Sequence, residues 1–240
     1  MKSWPSLFSD RWLLAIAAGL LITFTSTAHA VPVTNFSFED PATPDGDYGG
    51  RPGGPVGGDV FPGWSSSGGN GVQNFPGTFP GSDESGPSGG NMDAPGDGKN
   101  AVYINAAFIF QDVGALLPNT TYTLIVAAGN QPGYGPGSAG HIALLNGPNQ
   151  FGSTLASAPV GPTGDPTHPL FNNLLVNFTT SFTTGPSVSG DLTIILAKDS
   201  GNQIDYDNVR LTAVAVPEPA SLALLGLGAV GLAFAATRRR

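Results

Sequence analysis

The sequence predicts a single all-β sandwich that lies between two short terminal signals. Three observations predict this class. Several segments alternate β-branched or aromatic residues with polar ones, as in Leu174–Phe182, where Leu174, Val176, Phe178 and Phe182 share one face. Gly (35) and Pro (22) make up about a quarter of the 240 residues and cluster in stretches that suit neither helix nor central strand. Outside the terminal signals, no ten-residue window has helical periodicity.

Ten segments carry the strand pattern. They are, in chain order, 35–39, 60–64, 72–75, 101–104, 107–113, 121–128, 141–145, 174–182, 192–198 and 204–214. In the first of them the alternation predicts that Phe36 and Phe38 point to one face. Long surface loops are predicted at 41–58, 76–99, 131–140 and 159–169, where glycine and proline concentrate.

The first 30 residues have the pattern of a signal peptide. Lys2 and Arg11 form a weakly positive start, and an apolar run follows from Trp12 to Phe24. This run is too short to be preferred as a membrane span. The small-x-small pattern Ala28-His29-Ala30 predicts that signal peptidase cuts after Ala30, which leaves a sandwich domain at residues 31–215.

The last 25 residues have the pattern of a membrane stop. Pro217-Glu218-Pro219 precedes an uncharged run that is long enough, at about 1.5 Å of helical rise per residue, to be a marginal span. We expect a transmembrane helix at 220–237, with the arginine cluster Arg238-Arg239-Arg240 on the cytoplasmic side.

The order of these tail features resembles the PEP-CTERM sorting signal of Gram-negative bacteria, which we assign to residues 216–240. The resemblance implies that the precursor is exported, is held transiently in the inner membrane and is processed by exosortase. It further implies delivery to the cell surface or the extracellular matrix. An ordinary tail anchor is the alternative.

Charge and cysteine content restrict the possible partners. Residues 31–219 contain four basic and sixteen acidic residues, a net charge of about −12. Nucleic acid is therefore excluded as a partner, because its binding needs a positive surface. The chain has no cysteine, so core burial, a bound metal or a partner must supply the stability that disulfides give other exported proteins.

Short motifs along the domain resemble the galactose-binding-like jelly roll shared by several families of carbohydrate-binding module. They are Asn35-x-x-Phe38-Glu39-Asp40, Phe61-Pro62-Gly63-Trp64, Gln111-Asp112-Val113 ahead of Leu117-Pro118-Asn119-Thr120, and Ile204-Asp205-Tyr206-Asp207-Asn208-Val209-Arg210-Leu211. The resemblance implies a jelly-roll sandwich with a structural calcium ion between its first and last strands. Its implied ligands are Glu39, Asp207 and the Ser37 carbonyl, with Asp205 and Asp97 as further candidates. Calcium takes six to eight oxygen ligands, which this set could supply in part. The alternative is that Glu39 and Asp207 are surface caps or partners of Arg210 and Lys198.

Carbohydrate-binding modules stack aromatic rings on sugars and bind hydroxyl groups through amides and carboxylates. The residues that could do this here are Trp64, Tyr134, Tyr48 and Asn130. For Trp64 the alternative is a place in the core, since the corresponding tryptophan of a jelly roll often packs there.

Catalytic motifs are weak, and we expect no enzyme activity. Gly86-Pro87-Ser88-Gly89-Gly90 has the letters of a nucleophile elbow but lies in a proline-broken loop. His141 and His168 are the only histidines beyond residue 30, which is too few for a zinc hydrolase of known pattern. The predicted function is an exported, non-catalytic surface or matrix protein that contacts exopolysaccharide. A structural matrix protein or adhesin that binds protein or itself is the first alternative, and a secreted glycan hydrolase is the second.

Overall fold

A computed structural model describes residues 27–40, 48–49, 59–74, 98, 100–130, 137–161 and 175–217, together with positions 226, 228, 236 and 237. The chain divides into a compact unit at Ala28–Val214 and a second unit formed by the two chain ends. The strands are β1 (Ala28–Val31), β2 (Tyr48–Gly49), β3 (Asp59–Phe61), β4 (Trp64–Ser66), β5 (Asn70–Asn74), β6 (Asn100–Ile104), β7 (Phe108–Ala115), β8 (Thr120–Gly129), β9 (Ala139–Asn146), β10 (Ser153–Val160), β11 (Val176–Thr183), β12 (Asp191–Ser200) and β13 (Ile204–Ala215). The predicted all-β class is confirmed.

The strands form two antiparallel sheets that make a sandwich. One sheet has the order β11-β8-β13-β6-β5-β2, with β1 paired to β13, and the other has the order β10-β9-β12-β7-β4-β3. Three pairs of neighbouring strands are consecutive in the chain (β3/β4, β5/β6 and β9/β10), whereas the other neighbours come from distant parts of the sequence.

The core lies between the sheets and follows the period of two that the sequence shows. Ile204 and Tyr206 of β13 face Ile194 and Leu196 of β12 within one buried cluster, with Trp64 in the same cluster. Burial raises the pKa of the Tyr206 hydroxyl well above its ordinary value of 10.0, and Asp199 adds to the effect. The protonated hydroxyl donates a 2.6 Å hydrogen bond to the Ala197 carbonyl of the opposite sheet, so it ties the two sheets together.

The sandwich has two ends, which we name by the chain. The tail end contains Val214 of β13 and the segments at 115–120, 146–153 and 183–191, where β7, β9, β11 and β12 end or begin. The far end contains the turns at 105–107 and 201–203, because Ile104 pairs with Ile204 and Ser200 pairs with Ala139.

Several local predictions were wrong. The predicted strand 60–64 is broken by a turn at residues 62–63, and the predicted loops 41–58 and 131–140 contain β2 and the start of β9. Residues 34–37 form a turn instead of a strand, since Asn35 adopts a left-handed φ of 49° and its carbonyl accepts the Phe38 amide. Phe38 is therefore buried while Phe36 is exposed, so they do not share a face. The predicted loop at 159–169 begins too early, because β10 extends to Val160. Pro159 fits there because β10 is the edge strand of its sheet.

The two terminal signals lie largely outside the described residues. Ala28 and Ala30, which the signal-peptide prediction places before the cut, are part of β1 in the full chain and pair with Val214 and Thr212. Cleavage after Ala30 stays a prediction. Within the described part of the chain, no helix combines the length and apolar character needed to cross a membrane. The predicted span at 220–237 falls almost entirely beyond that part.

Candidate functional site

Polar side chains follow the outer face of β13, the face that points away from the core. Asp205 and Asp207 alternate with the core residues Ile204 and Tyr206, so they lie on the outer side of the sheet. Asn208 then adopts a left-handed φ of 47°, and Val209 and Leu211 take over the core positions. This shift places Arg210 on the outer face as well, where it is exposed. The face therefore carries two buried carboxylates, Asp205 (0% exposed) and Asp207 (1% exposed), and the exposed guanidinium of Arg210 along one strand.

The far-end part of this face is buried. Asp205 is 0% exposed, and its register partner on β6, Tyr103, is 8% exposed. On the next strand the register partner of Tyr103 is Gly71, which adds no side chain to the row. The Gln203 side chain donates a 2.8 Å hydrogen bond to Asp205 Oδ1, and the Gln203 backbone amide donates to Ser138 Oγ at 3.2 Å. Asp205 is thus held in one position by the turn at the far end.

Toward the tail end the same face becomes open to solvent. Arg210 donates a 2.9 Å hydrogen bond to Asn177 Oδ1 on β11, and both side chains are exposed. Thr179, two residues further along β11, is exposed too. We call Tyr103, Asp205, Asp207, Arg210 and Asn177 the polar strip. Its phenol, carboxylate, guanidinium and amide groups can together donate and accept hydrogen bonds, and a buried carboxyl group can also exchange a proton.

Trp64, a predicted ligand-binding residue, is instead part of the core. It is fully buried, its ring lies 5.3 Å from that of Phe38, and Nε1 donates to the carbonyls of Thr34 (3.0 Å) and Asn35 (3.3 Å). Pro62 and Gly63 form the turn between β3 and β4, and Gly63 has a φ of 82°. This turn starts β4 with Trp64 facing inward, so the ring cannot stack on a sugar.

The predicted calcium ligands lie where the N-terminal segment contacts both β6 and β13. Glu39 Oε1 accepts the Asn100 amide at 2.7 Å, and the Phe36 carbonyl accepts the Val209 amide at 2.9 Å, which places Ser37 between these two contacts in the chain. Asp207 Oδ1 accepts the neighbouring Asn208 amide at 2.6 Å. Within the described ranges no group of three or more His, Asp or Glu side chains is arranged to hold a metal ion. Asp97 lies outside those ranges.

The other predicted residues have separate positions. Asn130 is buried at the end of β8, at the far end of the sandwich. Tyr48 pairs through its backbone with Gln73. Pro217 is exposed just beyond β13. The remaining predicted residues, Tyr134, Glu218, Pro219, Arg238, Arg239 and Arg240, lie outside the described residues.

A small cavity of about 140 Å³ lies elsewhere, at the tail end. Its lining is mainly apolar and includes Val113, Leu117, Tyr122 and Leu192, together with His29 and Ala30 of β1. It shares no residue with the polar strip.

Two protein-family models match successive parts of the chain. The HpiC1-like family model, described as HpiC1 cyclase, matches residues 29–212, and the PEP-CTERM protein-sorting motif matches residues 215–240. No curated protein matches the chain. The predicted sorting motif is confirmed, and with it export and transient anchoring in the membrane.

Among solved structures, the chain is similar to the Stig cyclase Fisc from Fischerella sp. TAU in complex with (3Z)-3-(1-methyl-2-pyrrolidinylidene)-3H-indole. The identity is 24% over 80% of this chain and 100% of that chain, with a TM-score of 0.54. A cyclase from Fischerella sp. TAU is 24% identical over 80% of this chain and 100% of that chain, with a TM-score of 0.53. TmCBM61 in complex with β-1,4-galactotriose is 14% identical over 76% of this chain and 97% of that chain, with a TM-score of 0.39.

The similarity to the cyclases shows a shared fold, and the predicted jelly-roll sandwich is confirmed. The link to cyclases was not predicted, because no short motif in the sequence points to one. The family match covers most of the chain and nearly all of its compact unit at Ala28–Val214. The chain belongs to the HpiC1-like family and carries a PEP-CTERM sorting motif behind that domain.

Proposed function

We propose that the protein is an exported, non-catalytic surface or matrix protein that binds extracellular polysaccharide along the polar strip. The observation that carries the proposal is the exposed Arg210–Asn177 pair at the open end of the polar strip, whose two carboxylates, Asp205 and Asp207, are buried behind it on β13. Carboxylates and guanidinium groups bind sugar hydroxyls through charge-assisted hydrogen bonds, which are stronger than neutral ones. The exposed Arg210–Asn177 pair supplies the part of the strip that a long glycan can reach.

A charge-matched pair of variants tests this proposal. Arg210→Ala is expected to weaken retention on the bound polysaccharide about tenfold to a hundredfold, because a hydrogen bond to a charged group contributes about 1.5–3 kcal/mol and 1.4 kcal/mol is a factor of ten. Lys198→Ala removes the same charge from the other sheet and should change retention less than about twofold. The measurement is affinity electrophoresis for soluble secreted polysaccharides and pull-down for insoluble ones, with thermal melting to check folding. Equal effects of the two variants would refute the polar strip as the site, and self-association without retention would support a matrix protein that binds itself.

Acid–base catalysis is the second candidate function, and the buried Asp205 beside Tyr103 favours it. Membership in a family described by a cyclase supports the same candidate. In this reading Asp205 holds or delivers the proton and Tyr103 positions the substrate. Conversion of an indole of the kind bound to Fisc, abolished by Asp205→Asn but retained in Arg210→Ala, would place the protein among the enzymes. The same result would exclude the non-catalytic proposal.

We also propose a structural calcium ion held by Glu39, Asp207 and the Ser37 carbonyl, with Asp97 or Asp205 as possible completing ligands. The support is that the segment carrying Glu39 is hydrogen-bonded to both β6 and β13. Asp205 and Asp207 belong to β13, and Asp97 shortly precedes β6 in the chain. Oxygen donors of this kind suit calcium, and a weak site can fill outside the cell.

Chelation tests the metal. A ligand present at 100 times its Kd stabilises the folded state by about 2.7 kcal/mol, so removing calcium with a chelator should lower the melting midpoint by about 5–10 °C. Glu39→Gln keeps an oxygen that can accept the Asn100 amide but loses the charge, so its midpoint should no longer respond to calcium. A wild-type midpoint that is the same with and without chelator would remove the ion from this account.

A further inference from the structure

Both ends of the compact unit leave it at the same end of the sandwich. β1 and β13 are antiparallel, and Ala28 pairs with Val214. Residues 28 and 214, at which the compact unit begins and ends, therefore both lie at the tail end. The first leads back to the apolar run at 12–24, and the second leads into the sorting motif at 215–240.

The connection to the predicted membrane span is short. β13 ends at Ala215, and the uncharged run begins at Ala220, five residues later. Even fully extended, five residues span at most about 17 Å. The headgroup region accounts for about 5–8 Å on each side of the hydrocarbon core. If residues 220–237 span the bilayer as predicted, this covalent link limits the distance between Ala215 and the hydrocarbon core to about 17 Å.

Two large exposed apolar side chains lie at this end. Phe151 is 83% exposed, in the turn between β9 and β10, and Leu117 is 46% exposed, in the turn between β7 and β8. Val216, which is also exposed, follows β13 directly in the chain. Among the described residues the one other exposed large hydrophobic residue is Phe36, which lies beside Val209 midway along β13.

Hydrogen bonds fix the backbone of the two turns that carry the exposed side chains. The turn with Phe151 is fixed because the Asn149 amide donates to Asp112 Oδ1 at 2.9 Å and the Phe151 amide donates to Asn149 Oδ1 at 3.1 Å. The Leu117 amide donates to the Tyr122 hydroxyl at 2.9 Å. These bonds fix the backbone at the positions from which Phe151 and Leu117 project.

The tail end carries exposed acidic side chains and would be repelled by an anionic lipid surface. The segments 111–122, 146–154 and 183–193 contain no lysine or arginine, while Asp112 and Asp191 lie among them and are exposed. Attraction to anionic lipid needs basic residues, whereas apolar side chains enter the interface of a neutral bilayer without them.

We propose that the tail end is a membrane-contact surface, through which Phe151 and Leu117 enter the headgroup region of a neutral bilayer while the precursor is anchored. The polar strip then has its buried end, at the far end of the sandwich, turned away from the membrane. This orientation leaves the far end free for extracellular partners before the tail is cut. The proposal rests on the sorting motif and does not depend on polysaccharide binding.

The absence of cysteine makes a site-specific fluorescent probe possible. Ser153→Cys places a probe two residues from Phe151, and Ser200→Cys, a matched change at another exposed serine, places one at the far end. The full-length chain is reconstituted into phosphatidylcholine vesicles that contain a nitroxide-labelled lipid. The Ser153→Cys probe is expected to lose most of its emission, and the Ser200→Cys probe is expected to keep it.

Adding Phe151→Ser to the Ser153→Cys chain tests the side chain itself. The proposal predicts that part of the emission recovers, because the apolar contact that inserts this turn into the interface is gone while the short link to the tail still keeps the tail end near the bilayer. Equal quenching of the two probes, or of the chains with and without Phe151→Ser, would overturn it. Stronger quenching of the Ser153→Cys probe in phosphatidylglycerol vesicles than in phosphatidylcholine would overturn the assignment to a neutral surface.

Discussion

Replacing Trp64 by alanine is expected to lower the free energy of unfolding by about 3–5 kcal/mol, the range found when a buried large aromatic side chain is truncated. The indole is fully buried against Phe38 and donates to the carbonyls of Thr34 and Asn35. Its removal leaves a cavity and takes the indole N–H away from these two carbonyls. Chemical denaturation of the wild type and the variant measures the difference.

Trp64→Phe separates packing from hydrogen bonding. It keeps most of the apolar volume and loses the indole N–H, so a smaller loss of about 1–2 kcal/mol is expected. Neither variant should alter polysaccharide retention at temperatures where both are folded. Normal stability with lost retention would instead identify Trp64 as a ligand-binding residue, which is one of the two roles that the sequence predicted for it.

The class of fold was predictable because a sandwich needs alternating residues, and alternation is visible in one dimension. The strand at 204–214 shows where this reasoning stops. Its alternation places Asp205 and Asp207 on one face, but the left-handed turn of Asn208 that shifts Val209 into the core is a backbone event. The strand predicted at 35–39 was wrong for the same reason, because the left-handed conformation of Asn35 produces a turn there.

The polar strip was only partly predictable for a related reason. Asp205 and Asp207 stood out as carboxylates on a strand, yet pairing with Tyr103 depends on the register between β6 and β13, about 100 residues apart in the chain. Arg210 and Asn177 come from different strands as well. The exposed Phe151 carried no signal, since the sequence does not show that hydrogen bonds to Asp112 would hold its turn outward.

Gly140→Ala is expected to destabilise the protein by about 3 kcal/mol or more, the upper part of the range for overpacking a core. A Cβ atom at Gly140 would lie 2.0 Å from the Ala197 carbonyl oxygen and 2.6 Å from the Tyr206 hydroxyl. The first atom belongs to the backbone of β12, which pairs with β9 on both sides of this point, so it cannot move aside alone. The variant must therefore push β9 and β12 apart or displace the Tyr206 hydroxyl, which breaks the 2.6 Å bond that ties the two sheets.

The effect can be separated from the general cost of changing a glycine. Gly185→Ala is the matched control, because a Cβ there meets nothing within 4 Å and its φ is not in the left-handed region. It should be neutral or stabilising by about 0.4–1 kcal/mol, through the reduced conformational entropy of the unfolded chain. Tyr206→Phe combined with Gly140→Ala should lose less than the two single changes added together, since both act on the contact at Ala197. If the losses in free energy of unfolding, measured in denaturant, add fully, then Gly140 and Tyr206 act independently. The effect of Gly140→Ala would then not arise from the hydrogen bond between Tyr206 and Ala197.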